Sequence, residues 1–305
     1  MHGEGTEELV PHTMSRMGDV LAGFHAAWEF ESDSVLIRYE RGIRTPKLFQ
    51  ALGERRVPLE ALAGVTLTPG RRGTVVLRAE PRPGADPLME AAAGQLKEGC
   101  DPYRLVLPAE RETLAEYYAD ELRGLLGETG KTERYLVAAP EAPLQFKAYD
   151  GKASFDGTSV SFRWSWTGAS SAKWKAGDQT YPVAGLGGVE WRSPELFEGY
   201  LRLLPRDASA TAAAPAVPQA DQDPAAVVFG LGYGPVHESL PFAAAVLAAV
   251  RERGAGAPVP VPVPAPRRDP ADIAERIRHL GELHQAGLVT DEEFSSKKAE
   301  LLAEL

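Results

Sequence analysis

Apolar and polar positions alternate most clearly at residues 35–39, where Val35, Ile37 and Tyr39 share one face of an extended chain. The same two-residue period returns at Val160, Phe162 and Trp164. A turn signal precedes each run, Glu31-Ser32-Asp33 in one case and Asp156-Gly157 in the other, so each predicts a strand entered from a hairpin. Further strands are expected at Gly64 to Thr68, Thr74 to Ala79 and Tyr103 to Leu107, and again around Val189 to Trp191, Tyr200 to Leu204 and Ala226 to Phe229. From about Glu110 to Leu126 the period lengthens to three and four residues, and Leu114, Tyr117, Tyr118, Leu122, Leu125 and Leu126 form one apolar stripe. A second helix is expected from about Glu238 to Arg253.

These elements recur in order because the chain repeats itself. Phe30 to Tyr39 aligns with Phe155 to Trp164, Pro58 to Val65 with Pro182 to Val189, and Asp101-Pro102 with Asp223-Pro224. Short strands followed by one amphipathic helix suggest the expected fold class, α+β: two tandem pleckstrin-homology-like β-barrel or sandwich domains, each closed by a C-terminal helix, followed by a small two-helix module. A plain α+β sandwich fits the same pattern. The expected organisation is a disordered N-terminal extension at 1–16, a first repeat at 17–128, a linker at 129–143 and a second repeat at 144–253 with a flexible loop at 206–224. A Pro-rich tether at 254–270 and a helical module at 271–305 complete it.

In the last module Ile273, Ile277 and Leu280 line a first helix, and Gly287 ends it as a left-handed cap. Thr290 and Glu293 make a capping box ahead of Phe294, Leu301, Leu302 and Leu305. So short a segment buries too little apolar surface to stand alone. Its face, Ile277, Leu280, Leu283, Leu288, Phe294, Leu301 and Leu302, is expected to pack on a protein partner, self or foreign.

Bulk properties narrow the function. A net charge of -10 over 305 residues disfavours polyanions, and no nucleic acid is expected as partner. The single cysteine, Cys100, has no partner for a disulfide and suits a reducing compartment. No secretory signal opens the sequence, and the most apolar stretch, Phe242 to Val250, is too short to span a bilayer. A cytoplasmic location is expected. Arginine outnumbers lysine and asparagine is absent, the bias of a GC-rich genome, which weakens arguments from arginine abundance alone.

The local exception to the acidic balance is the stretch Arg38 to Arg78. Arg38, Arg41, Arg44, Lys47, Arg55 and Arg56 are the candidate face for an anionic ligand or a membrane, since arginine forks match phosphate and carboxylate oxygens. The competing reading is a solvated strand edge. In the second copy Trp164, Trp166 and Trp174, interleaved with Arg163, Lys173 and Lys175, are candidate partner contacts. Gly230-Leu231-Gly232-Tyr233-Gly234 between strand and helix invites a nucleotide-loop reading, but its counterpart in the first copy is Pro108-Ala109-Glu110 and no phosphate-binding lysine follows. The six histidines show no zinc-site spacing, and no nucleophile elbow brackets a serine. No catalytic residue, metal or cofactor is expected, and the chain does not read as an enzyme.

Leu280-Gly-Glu-Leu-His-Gln-Ala-Gly287, Thr290-Asp-Glu-Glu-Phe294, Lys298 and Leu301-Leu302 resemble the short C-terminal domain abbreviated SHOCT. The repeated part resembles the domain-of-unknown-function family 4429, tandem pleckstrin-homology-like domains of GC-rich Gram-positive bacteria that often carry this tail. The resemblance implies a bacterial, non-catalytic binding or scaffold protein whose tail mediates oligomerisation or partner contact. The alternative expectation is peripheral association with anionic lipid through the Arg-rich face of the first repeat.

Overall fold

In the computed structural model the alternating runs of the first copy pair as consecutive antiparallel strands. The structure describes residues 19–195, 199–206, 219–230 and 236–254, with residues 278, 280, 281, 291, 294, 295, 298 and 299 of the tail. Strands β1 (Asp19–Ala22), β2 (Ala26–Phe30) and β3 (Ser34–Tyr39) are followed by helix α1 (Lys47–Leu52) and then β4 (Glu54–Pro58). After a 3-10 turn at Leu59–Ala61 come β5 (Leu62–Pro69), β6 (Thr74–Pro81), helix α2 (Pro87–Ala92), β7 (Arg104–Pro108) and helix α3 (Glu112–Leu125). The strands form one sheet in the order β1-β2-β3-β4 and another in the order β5-β6-β7.

The second copy repeats this plan. Strands β8 (Leu144–Lys147), β9 (Gly151–Phe155), β10 (Ser159–Trp164) and β11 (Gln179–Pro182) make a four-stranded sheet, with helix α4 (Ser171–Ala176) between the last two. Strands β12 (Leu186–Arg192), β13 (Tyr200–Pro205) and β14 (Ala226–Val228) make a three-stranded sheet, and helix α5 (Val236–Gly254) follows. Each copy is thus an antiparallel β-rich unit with a helix packed on it.

Register explains the sequence period. Pairing of Trp28 with Ile37 and Phe30 with Val35 sends these side chains to one face, where they meet Leu77, Leu105 and Leu107 from the second sheet. Phe30 then stacks on Tyr118 of α3 at 4.3 Å, and in the second copy Phe155 meets Phe242 of α5 at 6.1 Å. The two helices therefore sit at equivalent steps, Ala115, Tyr118, Ala119 and Leu122 matching Ser239, Phe242, Ala243 and Val246, all buried.

Outside those four positions the helices differ. The outward steps of α3 are Glu116, Asp120 and Glu121, all exposed, whereas the same steps of α5 are Leu240, Ala244 and Ala245, all buried. The expected apolar stripe of α3 is also narrower than its sequence suggests: Leu114, Tyr117 and Leu125 are exposed. Burial of α5 on its second side comes from the first copy. Leu48 of α1 and Leu88, Ala91 and Ala92 of α2 join the same apolar cluster as Phe146, Trp191, Phe242 and Val246. The first copy therefore roofs the second.

Polar contacts fix that roof. Gln95 donates to the Trp191 carbonyl at 2.9 Å and accepts from the Ser193 amide at 3.0 Å. Arg251, in the last turn of α5, donates through Nη2 to both Glu90 carboxylate oxygens at 2.8 and 2.9 Å and through Nη1 to the Gly84 carbonyl at 3.0 Å, and lies 3.8 Å from the centre of the Tyr135 ring. The segment between the copies is bound as well, with Leu136 and Val137 donating to the Ala85 carbonyl and Val137 buried in the first core.

Because Leu88 belongs to one copy by sequence and to the core of the other by packing, the two copies are expected to unfold as one. Urea unfolding followed by tryptophan fluorescence should give a single transition, and Leu88→Ala should lower the stability of the whole body by about 3 kcal/mol. Two separate transitions, with only one displaced by Leu88→Ala, would contradict a shared core.

Candidate functional site

The basic residues of the first copy divide according to the pleat of two strands. In β4 the side chains alternate, so Arg55 shares the inward face with Val57 while Arg56 points out with Glu54. Arg55 is buried and forks onto Asp86 at 2.9 and 2.8 Å. Asp86 also accepts from the Tyr103 hydroxyl at 2.8 Å and caps α2 by accepting from the Leu88 amide at 2.8 Å. Desolvation works against the charge on Arg55, and the Asp86 carboxylate outweighs it and raises the Arg55 pKa. Burial also raises the Tyr103 hydroxyl well above its ordinary value, Asp86 adding to the rise.

Of the expected six-residue anionic face, one member is corrected. Arg55 is a core residue whose charge is consumed by Asp86. Arg38, on the outward face of β3, pairs with Glu29 at 2.5 Å and Glu54 at 3.7 Å, and Arg56 pairs with Glu31 and donates to Ser34. Arg41, Arg44 and Lys47 remain exposed on and beside the loop joining β3 to α1.

That loop is built rather than slack. The Thr45 amide donates to the Gly42 carbonyl at 3.1 Å, and Gln50 of α1 reaches back to the Gly42 and Thr45 carbonyls at 3.0 and 2.9 Å. It is tied to the β1–β2 turn, since the Glu40 amide donates to the His25 carbonyl and the Thr45 hydroxyl lies 3.3 Å from His25 Nδ1. The turn itself requires glycine at position 23, where a Cβ would sit 2.4 Å from the Val106 carbonyl. At the outer end of this assembly Ile43 is fully exposed, and Phe24 is half exposed on the neighbouring turn. Ile43 carries no sequence signal of its own, because a lone apolar residue outside any period makes no pattern. Its flanks, Arg41-Gly42 and Arg44, are the signal that was available.

In the second copy the tryptophans separate in the same way. Trp164 is buried, donates to the Gly177 carbonyl at 2.7 Å and faces Lys173 Nζ at 4.9 Å, so it is no surface contact. Lys173 is fully buried, bonded to Asp150 at 2.5 Å and to the Ala226 carbonyl at 2.8 Å. Burial pushes Asp150 up and Lys173 down, each against the pull of the other. Trp166 is partly exposed and meets Trp174 edge-on at 4.9 Å.

The repeated Asp-Pro pairs have a common task. Asp101 accepts from the Tyr103 amide and pairs with Arg78, and Asp223 accepts from the Ala225 amide and pairs with Arg202. The following proline carbonyls accept from tyrosines, buried Tyr39 to Pro102 and partly buried Tyr181 to Pro224, both at 2.9 Å. Burial, with Asp223 nearby, pushes the Tyr181 hydroxyl up to about 12.

Of the predicted tail face, Leu280 and Phe294 are helical, Leu280 is buried and Lys298 lies 5.6 Å from the Phe294 ring. Ile277, Leu283, Leu288, Leu301 and Leu302 lie outside the described residues, as does the stretch Leu231 to Gly234 of the glycine cluster. Among the described residues no group of three His, Cys, Asp or Glu is arranged to hold a metal, and no helix is long and apolar enough to cross a membrane.

Two like β-rich units fused through one helix, with their buried charges paired internally, define a tandem-repeat α+β protein. The domain of unknown function DUF4429 matches residues 28–123 and 153–247, so the chain belongs to that family, and the short C-terminal domain SHOCT matches residues 275–302. No curated protein matches the chain.

The buried and exposed arginines should respond differently to loss of their charge partners. Asp86→Ala strands the Arg55 charge in the core and should cost about 3–5 kcal/mol. Arg38→Ala removes a half-exposed surface pair and should cost less than about 1 kcal/mol. Denaturant midpoints of the two variants check the contrast, and equal losses would contradict the division.

Proposed function

We propose that the chain is a non-catalytic binding and scaffold protein of the cytoplasm, in which two pleckstrin-homology-like domains form a rigid body and the tail brings copies of the chain together. The finer fold assignment is supported by the strand count. Four antiparallel strands, three antiparallel strands and a closing helix occur in that order in both copies.

The observation that carries the functional reading is the division of the chain into a large body, Met1–Ala257, and a separate unit, Pro258–Leu305. The body spends its buried charges on internal ion pairs, Arg55 with Asp86 and Lys173 with Asp150, which is the economy of a structural core. The tail, by contrast, carries more apolar residues than a segment of its length can cover by itself, and a partner surface supplies the missing burial. Joining by a Pro-rich segment raises the effective concentration of tails once any two bodies are near one another.

Light scattering of the full chain is expected to give a multiple of the 32.8 kDa protomer mass, and a chain ending at Ala265 is expected to give the mass of one protomer. Phe294→Asp in the full chain should reproduce the effect of the truncation. Single-protomer masses for all three at high concentration would overturn self-association.

A further inference from the structure

The loop joining β3 to α1 presents Ile43 at 105% of its reference accessibility, while no other large apolar side chain among the described residues exceeds 58%. An isoleucine held fully in water is unfavourable, and the bonds from Gln50 and Thr45 keep it from folding back. On either side Arg41 and Arg44 are exposed, and among the described residues neither has a carboxylate within ion-pair distance. Lys47 lies one turn further on. Glu40, at the base of the loop, is the only acid between Arg38 and Lys47. Half-exposed Phe24 stands on the turn tied to this loop.

We propose that this tip docks on a membrane: Ile43 enters the boundary between headgroups and acyl chains, and Arg41 and Arg44 take the phosphates of anionic lipids. The inference rests on the binding-protein reading above and names a partner for the body. The choice of a bilayer follows from shape and charge. A protein interface needs a patch of about 800 Å² on each side with an apolar centre. One fully exposed apolar side chain between two arginines that lack a carboxylate partner among the described residues offers no such patch, whereas a lipid surface accepts a single inserted side chain and supplies diffuse negative charge.

The second copy acts as an internal control. Its corresponding loop, residues 165–170, is one residue shorter and carries Trp166 where Arg41 would stand. Gly168 packs so closely on Tyr149 that a Cβ would lie 2.1 Å from its carbonyl oxygen. The tip is therefore a property of the first copy alone. One contact of this size gives weak, reversible attachment, which an assembly of several chains would strengthen.

Flotation of the full chain tests this with vesicles of phosphatidylcholine containing about 30 mol% phosphatidylglycerol and vesicles of phosphatidylcholine alone, at about 0.1 M salt. Binding is expected to the anionic vesicles only and to weaken as salt is raised. Ile43→Asp should weaken it about tenfold or more, and Arg41→Ala with Arg44→Ala about twenty-fivefold, near fivefold for each arginine. All three positions are exposed, so unfolding midpoints should stay at the wild-type value, and Arg56→Ala should leave binding unchanged. Absence of wild-type binding, equal binding to neutral vesicles, or wild-type binding by the Ile43 and double-arginine variants would each overturn the proposal. None of these outcomes alters the mass expected from light scattering, so failure of the membrane site and failure of tail assembly are separately visible.

Discussion

Burial of α5 on two sides is the constraint around which the body is organised. A helix with Leu240, Phe242, Ala244 and Val246 all removed from water cannot satisfy them with one pair of sheets, because a sheet covers only one stripe of a helix. The first copy supplies the second cover with α1 and α2, and this sets their positions: each is six residues long, too short to be stable as an isolated helix, and persists because its apolar side is packed. The short segment from Gly84 to Gln95 consequently serves both copies, capped through Asp86 by the first and bonded through Glu90 and Gln95 to the second.

Duplication has left the two copies alike in backbone and different in how they neutralise the same interior position. Where the first copy stacks Tyr39 on Phe49 at 4.7 Å, the second sets Trp164 against the buried ammonium of Lys173 and recruits Asp150 to balance it. The aromatic pair brings no charge that must be balanced. A buried lysine needs both the carboxylate and the Ala226 carbonyl, which ties α4 to β14 and to the turn before β9. The Asp-Pro corners, in contrast, work identically in both copies, each carboxylate accepting from a nearby amide and pairing with an arginine of the central strand of the smaller sheet.

Much of this was legible in the sequence. The two-residue period located β3 and β10, the repeat located their counterparts, and the aligned Asp-Pro pairs marked corners that do share a role. Helices α1, α2 and α4 were missed because six residues are too few for a helical period to declare itself. The width of the α3 stripe was overestimated, since period alone does not say how much of a helix the sheets reach. Arg55 left the basic face for a reason the sequence did contain. Arg55 and Arg56 are adjacent in a strand and cannot both face water, but composition counts them together. Ile43 was invisible for the opposite reason, because exposure of a single residue leaves no trace in a pattern.

The contact between copies is head-to-tail: the roof of one meets the helix of the next, and the two surfaces are different. Contacts of that kind are not self-complementary, and in separate molecules they form rings where the rotation closes and open arrays where it does not. Here the single roof is engaged within its own chain. The corresponding helix of the first copy, α3, turns Glu116, Asp120 and Glu121 outward at the steps where α5 has Leu240, Ala244 and Ala245. Three carboxyl groups therefore end the series at its first member, since α3 offers a second roof no apolar seat.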